Sequence, residues 1–211
     1  MSAVPQPVMP SAAVRICQAG LNILVLSLFV LLAVASFQHF AASRSIRSFG
    51  ILALNTLFVG LFVARRPAKA ESSSLPVWLL GVAGTALPLL LRPSDAAGFV
   101  RAGTIVQVTG IVMVAAGLLS LRRSFAVVAG NRGIRDDGLY RIVRHPIYSS
   151  ELVALLGAVL VSPTIVNWIL WLCECVVQYG RARVEEDFLS SDPIYRAYRG
   201  RIRYRFIPGL L

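Results

Sequence analysis

The chain has 211 residues, 56% of them hydrophobic and only 15% charged, with a mean hydropathy of +0.71. Soluble domains run nearer about one quarter charged, so this composition excludes a disordered chain and argues against a soluble one. The 21 basic residues against 10 acidic ones give a net charge of +11, but they sit between apolar stretches, which points to a membrane surface rather than to nucleic acid.

Residues 1–12, with three prolines and no charge, read as a flexible arm. Only Arg15 is basic ahead of the long apolar run that follows, so an uncleaved membrane anchor is expected rather than a signal peptide. A spanning helix needs about 20 mostly apolar residues, and four stretches reach or approach that length: 16–40, 48–64, 75–91 and 102–121. The glycines and the proline inside them are tolerable, because small residues let membrane helices approach closely. Residues 122–146 are polar and basic, with turns expected at Asn131-Arg132-Gly133 and Asp136-Asp137-Gly138. Apolar sequence returns over 147–161 and 165–177, divided by Ser162-Pro163. Each piece is short for a span and the two together are long for one straight helix, so a helical hairpin is expected. Residues 180–211 are polar, basic and aromatic. Cys17, Cys173 and Cys175 show neither a disulfide framework nor a metal-ligand spacing, so no metal site is expected.

With that hairpin there are about six membrane segments, and 17 of the basic residues fall on one side of the membrane. Only Arg44, Arg47, Arg92 and Arg101 fall on the other. The bias places both termini in the cytoplasm, at the inner membrane if the source is bacterial. The expected fold is therefore an all-α integral membrane bundle in two parts. Residues 1–121 form N-terminal transmembrane helices. Residues 122–211 form a C-terminal catalytic region of cytoplasmic loop, hairpin and polar tail, in which loop and tail share one face.

The polar residues of that face fall in three clusters. The first runs Gly138-Leu139-Tyr140-Arg141-Ile142-Val143-Arg144-His145-Pro146-Ile147-Tyr148 and the second Arg181-Ala182-Arg183-Val184-Glu185-Glu186-Asp187. The third is Tyr195-Arg196-Ala197-Tyr198 with Arg203-Tyr204-Arg205-Phe206-Ile207-Pro208. Taken singly, each has an ordinary account. Arg181 and Glu185 at i,i+4 make a salt-bridged helix end, Arg141 and Arg144 anchor the chain at the membrane surface, and the tyrosines form an aromatic belt.

Taken in order, the pattern Gly-x-Tyr-x-x-x-Arg-His-Pro-x-Tyr, apolar hairpin, Arg-x-x-x-Glu-Glu and Tyr-x-x-Tyr resembles the isoprenylcysteine carboxyl methyltransferase family and the related membrane phospholipid methyltransferases. The likeness covers roughly residues 124–208. It implies S-adenosylmethionine as methyl donor, bound on the cytoplasmic side. Arg132, Gly133, Ile134 and Arg135 would lie along the cofactor, as would Tyr140. His145, Pro146, Ile147 and Tyr148 would form much of its pocket, Glu185 would bind it, and Arg181 would face the methyl acceptor. Ser150 stands where family members often carry Gly, and Arg132 where the eukaryotic enzymes often carry His.

Methyl transfer from a sulfonium is a direct displacement, so the protein's task is alignment and exclusion of water. A carboxylate acceptor is already ionised at neutral pH, and the planar fork of Arg181 could grip it. That makes an isoprenylcysteine-like carboxylate the first choice, among lipid-like or prenylated substrates reached through the membrane lipids. An amine or thiol would need a base, with Glu185 or Glu186 nearest. An NADPH-dependent sterol-type reductase shares the Arg-His-Pro-x-Tyr segment and stays as an alternative, as does a non-catalytic membrane protein or transporter subunit. The topology has a direct test. Reporter fusions after Ala70, after Asn131 and at the C-terminus should all report cytoplasm, and an external C-terminus would reject the hairpin.

Overall fold

The computed structural model describes residues 12–68, 70–72, 74–94, 98–125, 127 and 129–210. The arm expected at 1–12 lies almost wholly outside them, as do Lys69 and the side chains of Arg15 and Cys17. The architecture is the expected all-α polytopic membrane bundle, with seven α-helices among the described residues. Three stretches are long and apolar enough to cross a membrane, namely Gln18–Ser43, Ile46–Ala64 and Val100–Ser124; Leu75–Leu90 and Pro146–Val161 are shorter apolar helices.

Helices α1 (Ala12–Ser43) and α2 (Ile46–Ala64) form an antiparallel pair. The chain reverses at Arg44, which adopts a positive φ of 50°, and Ser45 caps α2 by accepting from the Ser48 backbone N–H at 3.2 Å. Inside the pair Phe29 stacks on Phe58 with centroids 5.1 Å apart, and Asn55 donates to the Ser36 hydroxyl at 2.7 Å. The outward face of α1 leaves Ile23, Leu24, Leu31 and Phe37 exposed. In a lipid bilayer such a face is already in its preferred solvent, so close packing and polar contacts must hold the helices together instead. Helix α3 (Leu75–Ala86) tightens into a 3-10 turn over Leu87–Leu90, because Pro88 cannot continue the α-helical hydrogen-bond ladder.

Helix α4 (Val100–Leu121) lies antiparallel along α5 (Pro146–Val161), the most extensive helix pairing in the molecule. The seam is made by glycines seven residues apart. A Cβ on Gly110 would meet the Ala154 backbone N at 2.3 Å, one on Gly117 would meet Ile147 at 2.8 Å, and one on Gly103 would meet the Gly157 carbonyl at 2.8 Å. From the other side, a Cβ on Gly157 would meet the Gln107 backbone N at 2.2 Å. The two backbones are therefore nearly in contact, as small-residue membrane seams permit.

Helix α6 (Ile165–Leu189) follows after the Ser162-Pro163 break and packs back on α5. Its N-cap Thr164 accepts from the Asn167 N–H at 3.1 Å, and the Trp171 indole donates to the Leu152 carbonyl at 3.0 Å across the pair. The break is a hairpin turn. On the far side of α6 lies α3, and the Asn167 side chain holds both the N–H and the carbonyl of Arg92. Helix α7 (Pro193–Arg201), capped by Asp192 accepting from the Ile194 N–H at 2.8 Å, buries Tyr195 and Tyr198 against Leu189, Ile134 and Ile202.

Loop 122–146 and the tail do meet on one face. The Arg144 and His145 backbone N–H groups donate to the Tyr204 and Arg205 carbonyls at 2.9 Å each. A detail not expected from an all-α pattern is a short antiparallel ladder, β1 (Ala70–Glu71) with β2 (Gly130–Asn131). It ties the α2–α3 connection to the loop, reinforced by the Arg66 N–H on the Arg123 carbonyl at 2.8 Å. Both expected turns are present, with Gly133 at φ 101° and Gly138 at φ 57°. Gly110→Leu would overpack the seam, which costs about 1–3 kcal/mol or more. Thermal unfolding in detergent should show the loss, whereas Gly60→Ala, with no atom within 4 Å of the new Cβ, should unfold as the wild type does.

Candidate active site

His145 ends the polar loop immediately before Pro146, which opens α5 at a position where a missing N–H is harmless. The His145 side chain is buried, and its Nε2 lies 3.1 Å from Glu186 Oε1. With the Glu186 carboxylate as acceptor, Nε2 carries the hydrogen and Nδ1 is turned toward Glu185, 3.8 Å from Oε2. One turn into α5 the Tyr148 ring stacks parallel on the imidazole, with centroids 5.4 Å apart and planes 4° apart. The Tyr148 hydroxyl donates to Glu185 Oε2 at 2.8 Å. The two adjacent glutamates of α6 are thus divided: one holds the histidine and the other holds the tyrosine.

Glu186 is 1% exposed. It accepts both prongs of the Arg205 guanidinium, from Nε at 3.0 Å and Nη2 at 2.8 Å. Arg144 Nε is 3.1 Å away, close enough for an ion pair but not aligned as a hydrogen bond. Burial acts to raise the Glu186 pKa, but the hydrogen bonds from His145 and Arg205 and the charges of His145 and Arg144 outweigh it, holding the carboxyl well below the usual range. The same pairing raises the pKa of Arg205.

Arg181, four residues before Glu185, donates from Nη1 to Gln178 Oε1 at 3.1 Å and from Nη2 to the Val127 carbonyl at 3.1 Å. Its guanidinium carbon lies 4.7 Å from the centre of the Tyr148 ring, a cation–π distance. On α3 the approach is close: a Cβ on Gly84 would meet Arg181 Nη1 at 2.7 Å.

These side chains open on a cavity of about 240 Å³. Tyr140, His145, Tyr148, Arg181 and Glu185 form its polar end, and Phe29, Leu32, Leu54, Phe58, Leu89 and Leu155 line its apolar end. A smaller cavity of about 60 Å³ shares Tyr140, His145 and Glu185 with the first and is otherwise bounded by residues such as Gly133, Ile134, Arg135 and Tyr195. Of the residues picked from the sequence, Arg132, Gly133, Ile134 and Arg135 line the small cavity, Ile147, Tyr148 and Arg181 the large one, and Tyr140, His145 and Glu185 both. Pro146 lines neither; it starts the helix that carries the others. Arg132 is buried, and its Nη1 donates to the Arg66 carbonyl, so it also pins the loop to the end of α2. Ser150 is fully buried and donates to the Pro146 carbonyl at 2.6 Å. Gln178 has no signal in its local sequence that separates it from a helix face, and Tyr195 and Arg205 fall in the third polar cluster without an assigned role, because a belt tyrosine or a basic tail would look the same.

Removing one partner of a buried charge cluster costs about 3–5 kcal/mol, and Glu186→Gln should destabilise the protein by that order. The pH dependence has a definite sign. A carboxyl with a depressed folded pKa contributes fully above its unfolded value of about 4.3, and the contribution fades as pH falls below that. Unfolding followed by circular dichroism should show this acid-dependent loss in the wild type and a flatter profile in Glu186→Gln.

Residues 99–197, from the start of α4 into α7, match the family profile of the phospholipid methyltransferases. No curated protein sequence matches the chain. The matched stretch, just under half of the chain, carries the His145–Tyr148 segment, the α5–α6 hairpin and both glutamates around the two cavities, and over it the chain is similar to the phospholipid methyltransferases of the membrane methyltransferase superfamily.

Proposed function

We propose that the chain transfers a methyl group from S-adenosylmethionine to the head group of a lipid-like acceptor lying in the large cavity. The observation that carries this reading is a single cavity, polar at His145, Tyr148, Glu185 and Arg181 and apolar between α1, α2 and α5, joined to a second polar cavity. An amphiphile suits the first, with its tail among Phe29, Leu54 and Phe58, and a compact polar donor suits the second. The small cavity, about 60 Å³, offers a polar lining for one end of such a donor. Tyr195 lines it with a buried hydroxyl that has no partner among the described residues, the kind of orphan that a polar ligand satisfies. When bound, the donor supplies an activated methyl on a sulfonium. Tyr140, His145 and Glu185 would hold it at the junction, and Arg135 is placed to pair with its carboxylate.

Arg181 orients the acceptor. A carboxylate head group, as on an isoprenylcysteine, is what an isolated arginine favours. A second reading, an amine or thiol head group, is favoured by the carboxylates of Glu151 and Glu185, which line the same cavity as Arg181. Both termini on the cytoplasmic side accords with loop, β-ladder and tail meeting on the face from which a soluble donor enters.

Titration calorimetry on the full chain in detergent tests the donor. Losing a charge-assisted hydrogen bond costs about 1.5–3 kcal/mol, so His145→Ala and Glu185→Ala should weaken S-adenosylmethionine binding at least about tenfold. Wild-type affinity in both would overturn the assignment. Arg181→Ala should lower methyl-transfer turnover while sparing donor binding, and Arg181→Lys, which keeps the charge without the fork, should restore only part of it.

A further inference from the structure

Behind Arg181, in the apolar part of the hairpin, lies a polar network whose buried members, Gln178 and Glu174, the functional reading above leaves unused. Gln178 is fully buried. Its Nε2 donates to Glu151 Oε2 at 2.8 Å and to Glu174 Oε1 at 2.6 Å, while its Oε1 accepts from Arg181. Glu174 is 0% exposed, and its Oε2 has no partner among the described residues. Glu151 lines the large cavity on α5, one turn beyond Tyr148. A plain counter-ion for Arg181 would need one carboxylate in contact with it. Here there are two, both linked to it through the same carboxamide.

Charge counting then separates the possible acceptors. With both glutamates ionised, one guanidinium and two carboxylates would carry one negative charge in excess, in surroundings where an unbalanced charge is costly. A proton delivered to Glu151 brings the network to neutrality, whereas a carboxylate head group would double the excess. Around Glu151 stand Tyr148 on its own helix, Glu174 and Arg181 on α6, Glu185 farther along α6, and Tyr140 from the loop. Glu185 accepts from the Tyr148 hydroxyl and Glu186 from His145 and Arg205, whereas the side-chain hydrogen bond that Glu151 accepts comes from the neutral Gln178 carboxamide.

We propose that Glu151 is the proton acceptor of the reaction, acting on an amine or thiol nucleophile seated in the large cavity, with Gln178 and Glu174 as the buried groups that hold it in place. This rests on the methyl-transfer reading. The nucleophile's lone pair forms the bond to the methyl carbon as the donor's carbon–sulfur bond breaks toward sulfur, and the proton leaving nitrogen or sulfur passes to a Glu151 carboxylate oxygen. Arg181 keeps Gln178 turned, so that the carboxamide hydrogens face the two glutamates.

Two measurements on the full chain in detergent test the proposal. Calorimetry with octylamine and octanoate asks about the head group alone. Octylamine should bind more tightly than octanoate, and Glu151→Gln should weaken octylamine at least about tenfold while leaving S-adenosylmethionine binding unchanged. Equal binding of the two probes, or an unchanged octylamine affinity in the variant, overturns the proposal. Loss of S-adenosylmethionine binding by the wild type would instead overturn the methyl-transfer reading. Turnover with labelled donor is then measured on phosphatidylethanolamine, an alkylthiol and a prenylcysteine. Removing a general base costs about 100-fold or more, so Glu151→Gln should lose that much on amine or thiol, with little change in KM, and Glu151→Asp should recover part of it. Glu174→Gln should shift the pH profile. Methylation of the prenylcysteine carboxylate alone, or wild-type turnover in Glu151→Gln, overturns the assignment.

Discussion

The Glu186 carboxylate is the shared acceptor on which the site depends. Among the described residues it is touched by the histidine that caps α5, by an arginine of the C-terminal tail and by the loop residue before that histidine. Two stretches far apart in sequence, 144–145 and 205, are held by one anion, and each supplies positive charge or a hydrogen-bond donor that would be costly to bury alone. The backbone pairing of Arg144 and His145 with Tyr204 and Arg205 makes the same connection a second time. With the imidazole fixed from its Nε2 side, its other face is free to carry Tyr148, and Tyr148 in turn fixes Glu185.

That arrangement needs α5 at a definite depth, and the α4 seam sets it. Glycines at 103, 110 and 117 pair with residues 161, 154 and 147 in strict antiparallel register. Sliding α5 by one turn would bring side chains where only hydrogen fits. Since lipid offers no hydrophobic force to press the helices together, shape at this seam and the polar links of Trp171, Asn167 and Gln178 carry the burden. The seam therefore controls how far into the apolar layer the His145–Tyr148 segment and Glu151 reach.

Much of this was legible in the sequence where a residue type constrains the backbone directly. Ser162-Pro163 broke the hairpin, Gly133 and Gly138 took the left-handed turns, and the apolar lengths marked α1, α2 and α4. The Arg-His-Pro-x-Tyr and Arg…Glu-Glu segments, specific in order and spacing, supply residues that the fold gathers round the two cavities. What stayed hidden depends on partners distant in sequence. Gly110 is unremarkable until Ala154 is set against it, and Gln178 reads as a polar residue near a helix end until Glu151 arrives from another helix. The division of labour between Glu185 and Glu186 follows from helix rotation, which a pair of adjacent carboxylates does not reveal. The β1–β2 ladder is two residues long and carries no periodic signal.

The walls of the large cavity come from two sources. Its polar end belongs to the half of the chain that matches the methyltransferase family, while much of its apolar end comes from α1 and α2 and from the turn after α3, outside that match. Gly84 of α3 also sits directly against the Arg181 guanidinium. On the proposed reading, the donor chemistry and the choice of acceptor are thus written in separable parts of the polypeptide. On that reading, exchanging the first three helices between such proteins would alter which molecules are admitted at the apolar end, and a methyl group at position 84 would do so by pressing on Arg181, so that new substrate ranges can arise by recombination at the α3–α4 connection.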